Sequence, residues 1–409
     1  MKTTVLPGPS HGLVLLVSGF LAACSGGGGG DKGSTPPDNT PPVAYTYELP
    51  AGRSDGWTVA SAAEHGIAIA ELETMMNDIR AGQFPSIDAI VIARNGELVF
   101  DETIRTAIDE EDRRVGNADP AMHAQFSASK SITSLAVGIA IDEGYIDGVD
   151  TQYLSLFPYT DYENWDERKN DITLQHVLAM QLGLAWNEWD PPYFSPGNQL
   201  LRFYAEQVDY SKALLDLPVA ADPGTAFAYN TVATVSLGQA IENAVPMSLI
   251  DFGASELMAP LGITDIELLT TPTGLPNAGG GFYFRTRDMV KFGQLLLNGG
   301  TWNGNRVISE EWISESLTSR TDIGWNNPDD WDWQIDGYGY QWWLGHYDHE
   351  GVQRDTYVAW GFGGQWLVAI PSLELVIAVN SHGYDGSDSA LNEAHAVIRR
   401  YVLGATTVP

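Results

Sequence analysis

Residues 127–143 read SASKSITSLAVGIAIDE, and the rest of the chain is best read outward from them. Ile132, Leu135, Val137, Ile139 and Ile141 leave little polar face, so the spacing predicts a helix buried nearly all round. Gly144 follows as a C′ glycine, the residue type that ends a helix in a left-handed turn. The opening residues carry the chemistry. Ser127 and Lys130 stand three apart, close to one helical turn, and so share a face. The helix N-terminus adds free backbone N–H groups and partial positive charge, which favour an alkoxide at Ser127 and an oxyanion beside it. An apolar helix desolvates Lys130. Desolvation lowers an amine pKa, and a neutral amine can accept the serine proton. The other five lysines (Lys2, Lys32, Lys169, Lys212 and Lys291) read as lying in polar stretches or at polar helix positions. On its own, S-x-x-K is more often a capping serine followed by a surface lysine. The apolar helix is what raises its standing here.

Upstream, residues 64–80 place Ile67, Ile69, Leu72, Met75, Met76 and Ile79 near helical spacing. The apolar runs 87–93 and 98–101 then flank Asn95-Gly96, a strong hairpin signal. Downstream, 148–272 reads mostly helical, with loop signals at Asp190-Pro191-Pro192 and Asp222-Pro223-Gly224. The last third returns to mixed structure: a helix over 287–297, strands over 365–371 and 373–380, and a closing helix over 389–402. This order predicts an α+β fold, an antiparallel sheet flanked by helices (45–147 and 273–409) and interrupted by an all-helical domain (148–272).

The first residues have a different character. Lys2 precedes an apolar run over 12–21, the length of a signal-peptide h-region and too short to span a bilayer. The run ends in Leu21-Ala22-Ala23-Cys24, which resembles a bacterial lipobox. Residues 1–24 are therefore expected to be a lipoprotein signal, with Cys24 acylated as a membrane anchor, and 25–44 a Gly/Pro-rich tether. An exported lipoprotein of the outer membrane, periplasm or cell surface is implied. Cys24 is the single cysteine among 409 residues, which rules out an internal disulfide and any multi-cysteine metal site. With 21 Lys+Arg against 53 Asp+Glu the net charge is −32, which argues against nucleic acid as a partner.

Other signals are weaker. His346, Asp348, His349 and Glu350 fit no helical zinc spacing and read as a solvated acidic loop, so no metal or other cofactor is expected. Asp329, Asp330 and Asp332 crowd together as a solvated surface and offer no carboxylate pair set across a cleft. His382 reads as a surface histidine near the site mouth, and a G-x-S-x-G elbow is absent. Trp186, Trp189, Tyr338, Tyr340, Trp342 and Trp343 read mainly as core, with one or two walling an apolar pocket.

Jointly, SASKSITSLAVGIAIDEG, ITLQHVLAM followed by GLAWNEWD, PGTAFAYNT, AGGGFYFRTRDMVKFGQLLLNGGTWNG, YGYQWW and WGFGGQWLVAIP resemble the serine β-lactamase and penicillin-binding-protein superfamily. The likeness is to its class C-like branch of family VIII carboxylesterases and 6-aminohexanoate-oligomer hydrolases. The resemblance implies a nucleophile at Ser127, its partner at Lys130 and a general acid/base at Tyr229. The family's Y-x-N is here Tyr229-Asn230-Thr231, with Asn one place early. The nearest match to its third motif, K-T-G or H-x-G, is Ala359-Trp360-Gly361, which lacks the cation. The resemblance places oxyanion-hole donors at the Ser127 and Phe362 N–H groups, with Gly361, Trp360 and Trp186 beside the substrate. It implies a serine hydrolase of small or oligomeric esters or linear amides, acting through an acyl-enzyme. The alternatives are a β-lactamase or D,D-peptidase, and a catalytically inactive binding lipoprotein.

Overall fold

The computed structural model describes residues 2–6, 44–109, 112–113, 116–206, 208–321, 323, 333–384 and 389–408. Cys24, residues 25–43 of the tether and the cluster of Asp329, Asp330 and Asp332 lie outside the described residues.

Among the described residues the larger sheet has seven strands, all antiparallel: β1 (Ile87–Arg94), β2 (Glu97–Thr103), β3 (Trp333–Tyr338), β4 (Trp343–His349), β5 (Val352–Gly361), β6 (Gln365–Ile370) and β7 (Leu375–Ser381). Their spatial order is β2-β1-β7-β6-β5-β4-β3. The Asn95-Gly96 hairpin forms, with both residues at positive φ (53° and 79°), as a two-residue type I′ turn requires. The central strands are covered on both faces, so all eight residues of β1 are buried. Period-2 alternation divides them. Ile90 and Ile92 pack with helix α1 (Ile69–Arg80) and the C-terminal helix, while Val91 and Ala93 face the core that holds α2 (Ser129–Asp142).

The α2 helix is buried from Ser129 to Ala140. Gly144, at φ 74°, ends it as the sequence predicts. It packs against α3 (Thr231–Ala244) on one side and β5 on the other, so the nucleophile helix lies between the helical layer and the sheet. Gly138 lies under the Trp312 indole, where a Cβ would overlap the ring. Helix α4 (Thr286–Leu297) covers the sheet face formed by β1, β6 and β7.

Several local expectations change. The helix expected over 64–80 starts only at Ile69, because Gly66 (φ 67°) closes a short 3-10 turn over Ala62–His65. The 148–272 stretch, expected to be helical, ends in the strand Asp265–Leu269. That strand joins Phe282–Arg285, Met122–Ala124 and Lys2–Leu6 in a small second sheet. His346 and His349 lie on β4, and Glu350-Gly351 is a hairpin turn to β5 rather than a solvated loop. Their ring nitrogens are used structurally: His346 Nδ1 is 2.7 Å from Asp336 and His349 Nε2 is 3.1 Å from the Thr406 carbonyl. The alternation along β4 is obscured in the sequence because three of its last four residues, His346, Asp348 and His349, are polar, with His349 buried against the Thr406 carbonyl.

Candidate active site

The chain reaches Ser127 through a reversal. Strand Met122–Ala124 ends, Phe126 takes φ 44°, and a 3-10 turn over Phe126–Ala128 leads into α2. A bulky residue in the left-handed region costs about 1–3 kcal/mol and must be held by its surroundings. Here Phe126 packs edge-on against Phe362 (5.6 Å between centroids) and against Tyr384 (5.3 Å). The turn presents Ser127 at the α2 N-terminus.

One turn along, Lys130 Nζ donates to Ser127 Oγ at 3.0 Å and to the Gly279 carbonyl at 2.7 Å. Lys130 is 1% exposed, and burial lowers its pKa from 10.5 to about 8, opposed by the charge of Glu188. The close approach of the 279–281 segment depends on its glycines. A Cβ at Gly279 would stand 2.7 Å from the Thr231 carbonyl oxygen. Burial does not single Lys130 out. Lys169 and Lys291 are also fully buried, contrary to their expected polar surroundings. What distinguishes them is partners: Lys291 pairs with Asp288 at 2.7 Å, and Lys169 donates to the carbonyls of Leu215 and Glu163. Lys130 is the one directed at a hydroxyl.

Tyr229 arrives from the residue before the N-cap of α3. The Tyr229 ring lies 5.0 Å from Lys130 Nζ. Burial, reinforced by Glu188, pushes the phenol well above its ordinary value, so it stays protonated, and Ser127 is near enough to lower that value slightly. Trp189 stacks on one side of the ring (5.2 Å, 16°) and Trp343 on another (5.6 Å, 24°), with Tyr338 edge-on. The next two residues do different work. Asn230 caps α3 by accepting from Ala233 N–H, and Thr231 donates through its N–H and its hydroxyl, both at 2.6 Å, to Glu188. Tyr193 donates to the same carboxylate at 2.7 Å. Glu188, 2% exposed, thus fixes the start of α3 beside the Ser-Lys-Tyr cluster.

The strand β5 ends against the nucleophile turn. A Cβ at Gly361 would overlap the Gln125 carbonyl oxygen and stand 3.2 Å from the Ala128 nitrogen. Trp360 points to the other face, stacked on Trp366 (5.6 Å, 11°) and next to Trp343 (5.7 Å). Phe362 follows between Phe126 and Phe194, whose centroid is 5.7 Å away. Trp186 lies in the helical layer, buried edge-on against Phe203 at 5.3 Å, whereas Trp189 three residues on is the indole that meets Tyr229. Tyr340 and Trp342 are core. His382 is only half-exposed and bonds buried Asp88 at 2.7 Å, a partner that raises its pKa, so it is not a free surface histidine.

The structure therefore brings Ser127, Lys130 and Tyr229 together and sets the end of β5, with Trp360 and Gly361 on the strand and Phe362 just past it, against the nucleophile turn. Sequence reading passed over Glu188 and placed Trp189 only within a group of aromatics read mainly as core. Both lie in the quoted GLAWNEWD, but their contacts to Thr231 and Tyr229 join positions about forty residues apart. Among the described residues no group of His, Cys, Asp and Glu could hold a metal ion, and no helix is long and apolar enough to cross a membrane.

The chain is 26% identical over 338 residues to a 6-aminohexanoate-dimer hydrolase of Paenarthrobacter ureafaciens, covering 78% of each. Its fold is shared with the octameric penicillin-binding protein homologue from Pyrococcus abyssi (18% identical, TM-score 0.61, 82% of this chain and 77% of that one). It is also shared with a family VIII carboxylesterase (17% identical, TM-score 0.56, 82% and 98%). Residues 72–400 match the Beta-lactamase family, and on that span of sequence, carrying this fold, the chain belongs to it.

Proposed function

We propose that the chain is a serine hydrolase that cleaves carboxylic esters or linear amides through an acyl-enzyme on Ser127. The observation that carries this reading is the 3.0 Å contact between Ser127 Oγ and a lysine whose pKa burial brings down to about 8. Near neutral pH a useful fraction of Lys130 is then neutral and able to accept a proton.

Ser127 Oγ attacks the carbonyl carbon as its proton passes to Lys130 directly or by way of the Tyr229 hydroxyl. Backbone N–H groups of Ser127 and Phe362 receive the oxyanion, at the N-terminal end of α2 where the dipole also favours it. Collapse expels the alcohol or amine, which takes its proton from Tyr229, and Lys130 reprotonates the phenol. Water then enters by the reverse proton route and frees the acid and Ser127. No metal or organic cofactor is required by these steps.

The acyl side is apolar. Trp189 and Trp343 stack on Tyr229, Phe362 packs beyond the strand end between Phe126 and Phe194, and no arginine or second lysine stands at the Ala359-Trp360-Gly361 position. An uncharged acyl group suits such walls better than the carboxylate of a penicillin or a peptidoglycan stem. The curated relative named for an amide dimer supports linear amides alongside esters.

The deciding experiment is a panel of p-nitrophenyl esters, linear amides and nitrocefin, with mass spectrometry of the trapped adduct. Esters or amides turned over faster than nitrocefin, with acyl mass on Ser127, is the expected result. Faster nitrocefin turnover would favour a β-lactamase or D,D-peptidase. Failure of a fluorophosphonate to modify Ser127 in folded protein would favour an inactive binding lipoprotein.

We also propose that Cys24 is acylated and holds the protein to a bacterial membrane. The lipobox-like Leu21-Ala22-Ala23-Cys24 and the absence of any other cysteine support this. Incorporation of labelled palmitate that survives Cys24→Ala would remove the basis for it.

A further inference from the structure

Behind the catalytic cluster lies a buried polar network that the mechanism above does not use. Gln125, Gln365 and Asn380 are each 2% exposed or less. Asn380 Nδ2 donates to Gln365 Oε1 at 2.7 Å and to Gln125 Oε1 at 3.3 Å, and Asn380 Oδ1 accepts from Thr286 Oγ1 at 2.7 Å. Gln365 Nε2 donates to the Ser381 carbonyl at 2.6 Å and to the Phe362 carbonyl at 3.3 Å. Gln125 Nε2 donates to the His123 carbonyl at 2.8 Å. Every side-chain amide in this group is matched, and all three are buried from solvent.

The network has a direction. Gln125 stands two residues before Ser127, and its carbonyl lies where a Gly361 side chain would be. Phe362 follows Gly361, and its carbonyl is held by Gln365. Asn380, on neighbouring β7, binds both glutamines. One side chain thus ties the turn that carries the nucleophile to the strand end that carries the second oxyanion donor. These two segments have no other side-chain hydrogen bond joining them among those described, and they must hold two N–H groups a fixed distance apart.

We propose that Asn380 and Gln365 are positioning residues that set the spacing of the oxyanion site. The proposal rests on the serine-hydrolase reading above. An oxyanion donor acts only if it sits within hydrogen-bond distance of where negative charge develops. A network that fixes its place therefore acts on the transition state and little on substrate binding.

The test compares Asn380→Leu, which keeps the branched shape in a somewhat larger side chain and cannot hydrogen-bond, with wild-type protein on p-nitrophenyl butyrate. Tyr153→Phe, which removes a buried hydrogen bond to Ser236 in the helical layer, is the control for destabilisation. The expected result is a fall in kcat of at least about tenfold with KM within about twofold, and an unchanged midpoint in the pH profile. Tyr153→Phe should keep wild-type kcat even where its Tm falls as far. If Asn380→Leu does not fold, Gln365→Met carries the same expectation, since it removes the bonds to Phe362, Ser381 and Asn380 while leaving Asn380 joined to Gln125. An unchanged kcat in the folded variant, or an equal loss in Tyr153→Phe at matched Tm, overturns the proposal. Absence of turnover and of a Ser127 adduct in wild-type protein overturns the hydrolase reading instead.

Discussion

Lys130 Nζ sits 3.0 Å from Ser127 Oγ, and its other hydrogen bond goes to an uncharged carbonyl, Gly279 O, at 2.7 Å. Among the described residues no carboxylate pairs with the amine, so burial governs its pKa and lowers it to about 8. A lysine with a lowered pKa becomes a base as pH rises through that value. The expected kcat/KM for a p-nitrophenyl ester therefore climbs with pH and levels off above about 8. A profile already flat across the neutral range would show that Lys130 is not the group being titrated.

Glu188 acts on this titration from a short distance, because its charge opposes the effect of burial on Lys130. Glu188→Gln removes that charge while leaving an acceptor oxygen for Thr231. The pH midpoint of kcat/KM should move downward. Loss of part of the Thr231 and Tyr193 hydrogen bonding should cost about 1–3 kcal/mol of stability. An upward move of the midpoint would contradict the assigned sign.

The same burial makes Lys130 a cost to the fold. The folded pKa of about 8 lies below the ordinary 10.5, so the unfolded chain holds the proton more tightly. Below about pH 8 both states are protonated and the folded state carries the full penalty of about 3 kcal/mol; the penalty fades between about 8 and 10.5. Lys130→Met removes it, against about 1–3 kcal/mol for leaving the Gly279 carbonyl unpaired. Near pH 6 the inactive variant should be at least as stable as wild type by thermal unfolding, with any advantage shrinking at alkaline pH. A variant clearly less stable at acid pH would count against a desolvated amine.

Tyr229→Phe separates the hydroxyl from the ring. The phenyl keeps the stacking with Trp189 and Trp343, so Tm should change little. Loss of the proton donor should lower kcat by about 10²–10⁴-fold. The drop should be greater for amides than for p-nitrophenyl esters, because an amine cannot leave without a proton whereas p-nitrophenolate can. Equal losses on both substrates would place the phenol's work elsewhere.

Gly361→Ala tests the packing of β5 on the nucleophile turn. The new methyl meets a backbone carbonyl, Gln125 O, which cannot rotate away. Either strand end or turn must shift, and a shift on the order of 1 Å at a catalytic site costs on the order of 10²-fold in rate. Wild-type turnover in this variant would mean that the close approach has no part in catalysis.

The sequence by itself determined the helix that carries Ser127 and Lys130, the hairpin at Asn95-Gly96 and the last two strands. Each of these depends on short-range spacing: an all-apolar helical period, two residues able to take positive φ, and continuous apolar runs. Family likeness added Tyr229 and the place of Gly361. Tertiary structure decided the rest. It made Trp189, not Trp186, the partner of the Tyr229 ring. It gave the third position of the Tyr229-Asn230-Thr231 motif to Glu188 and used Asn230 as a helix cap. It also buried Lys169 and Lys291 beside partners that local polarity did not announce. Side-chain pairing across a buried layer depends on which faces the folded elements turn toward one another, and a linear pattern records each face but not its opposite number.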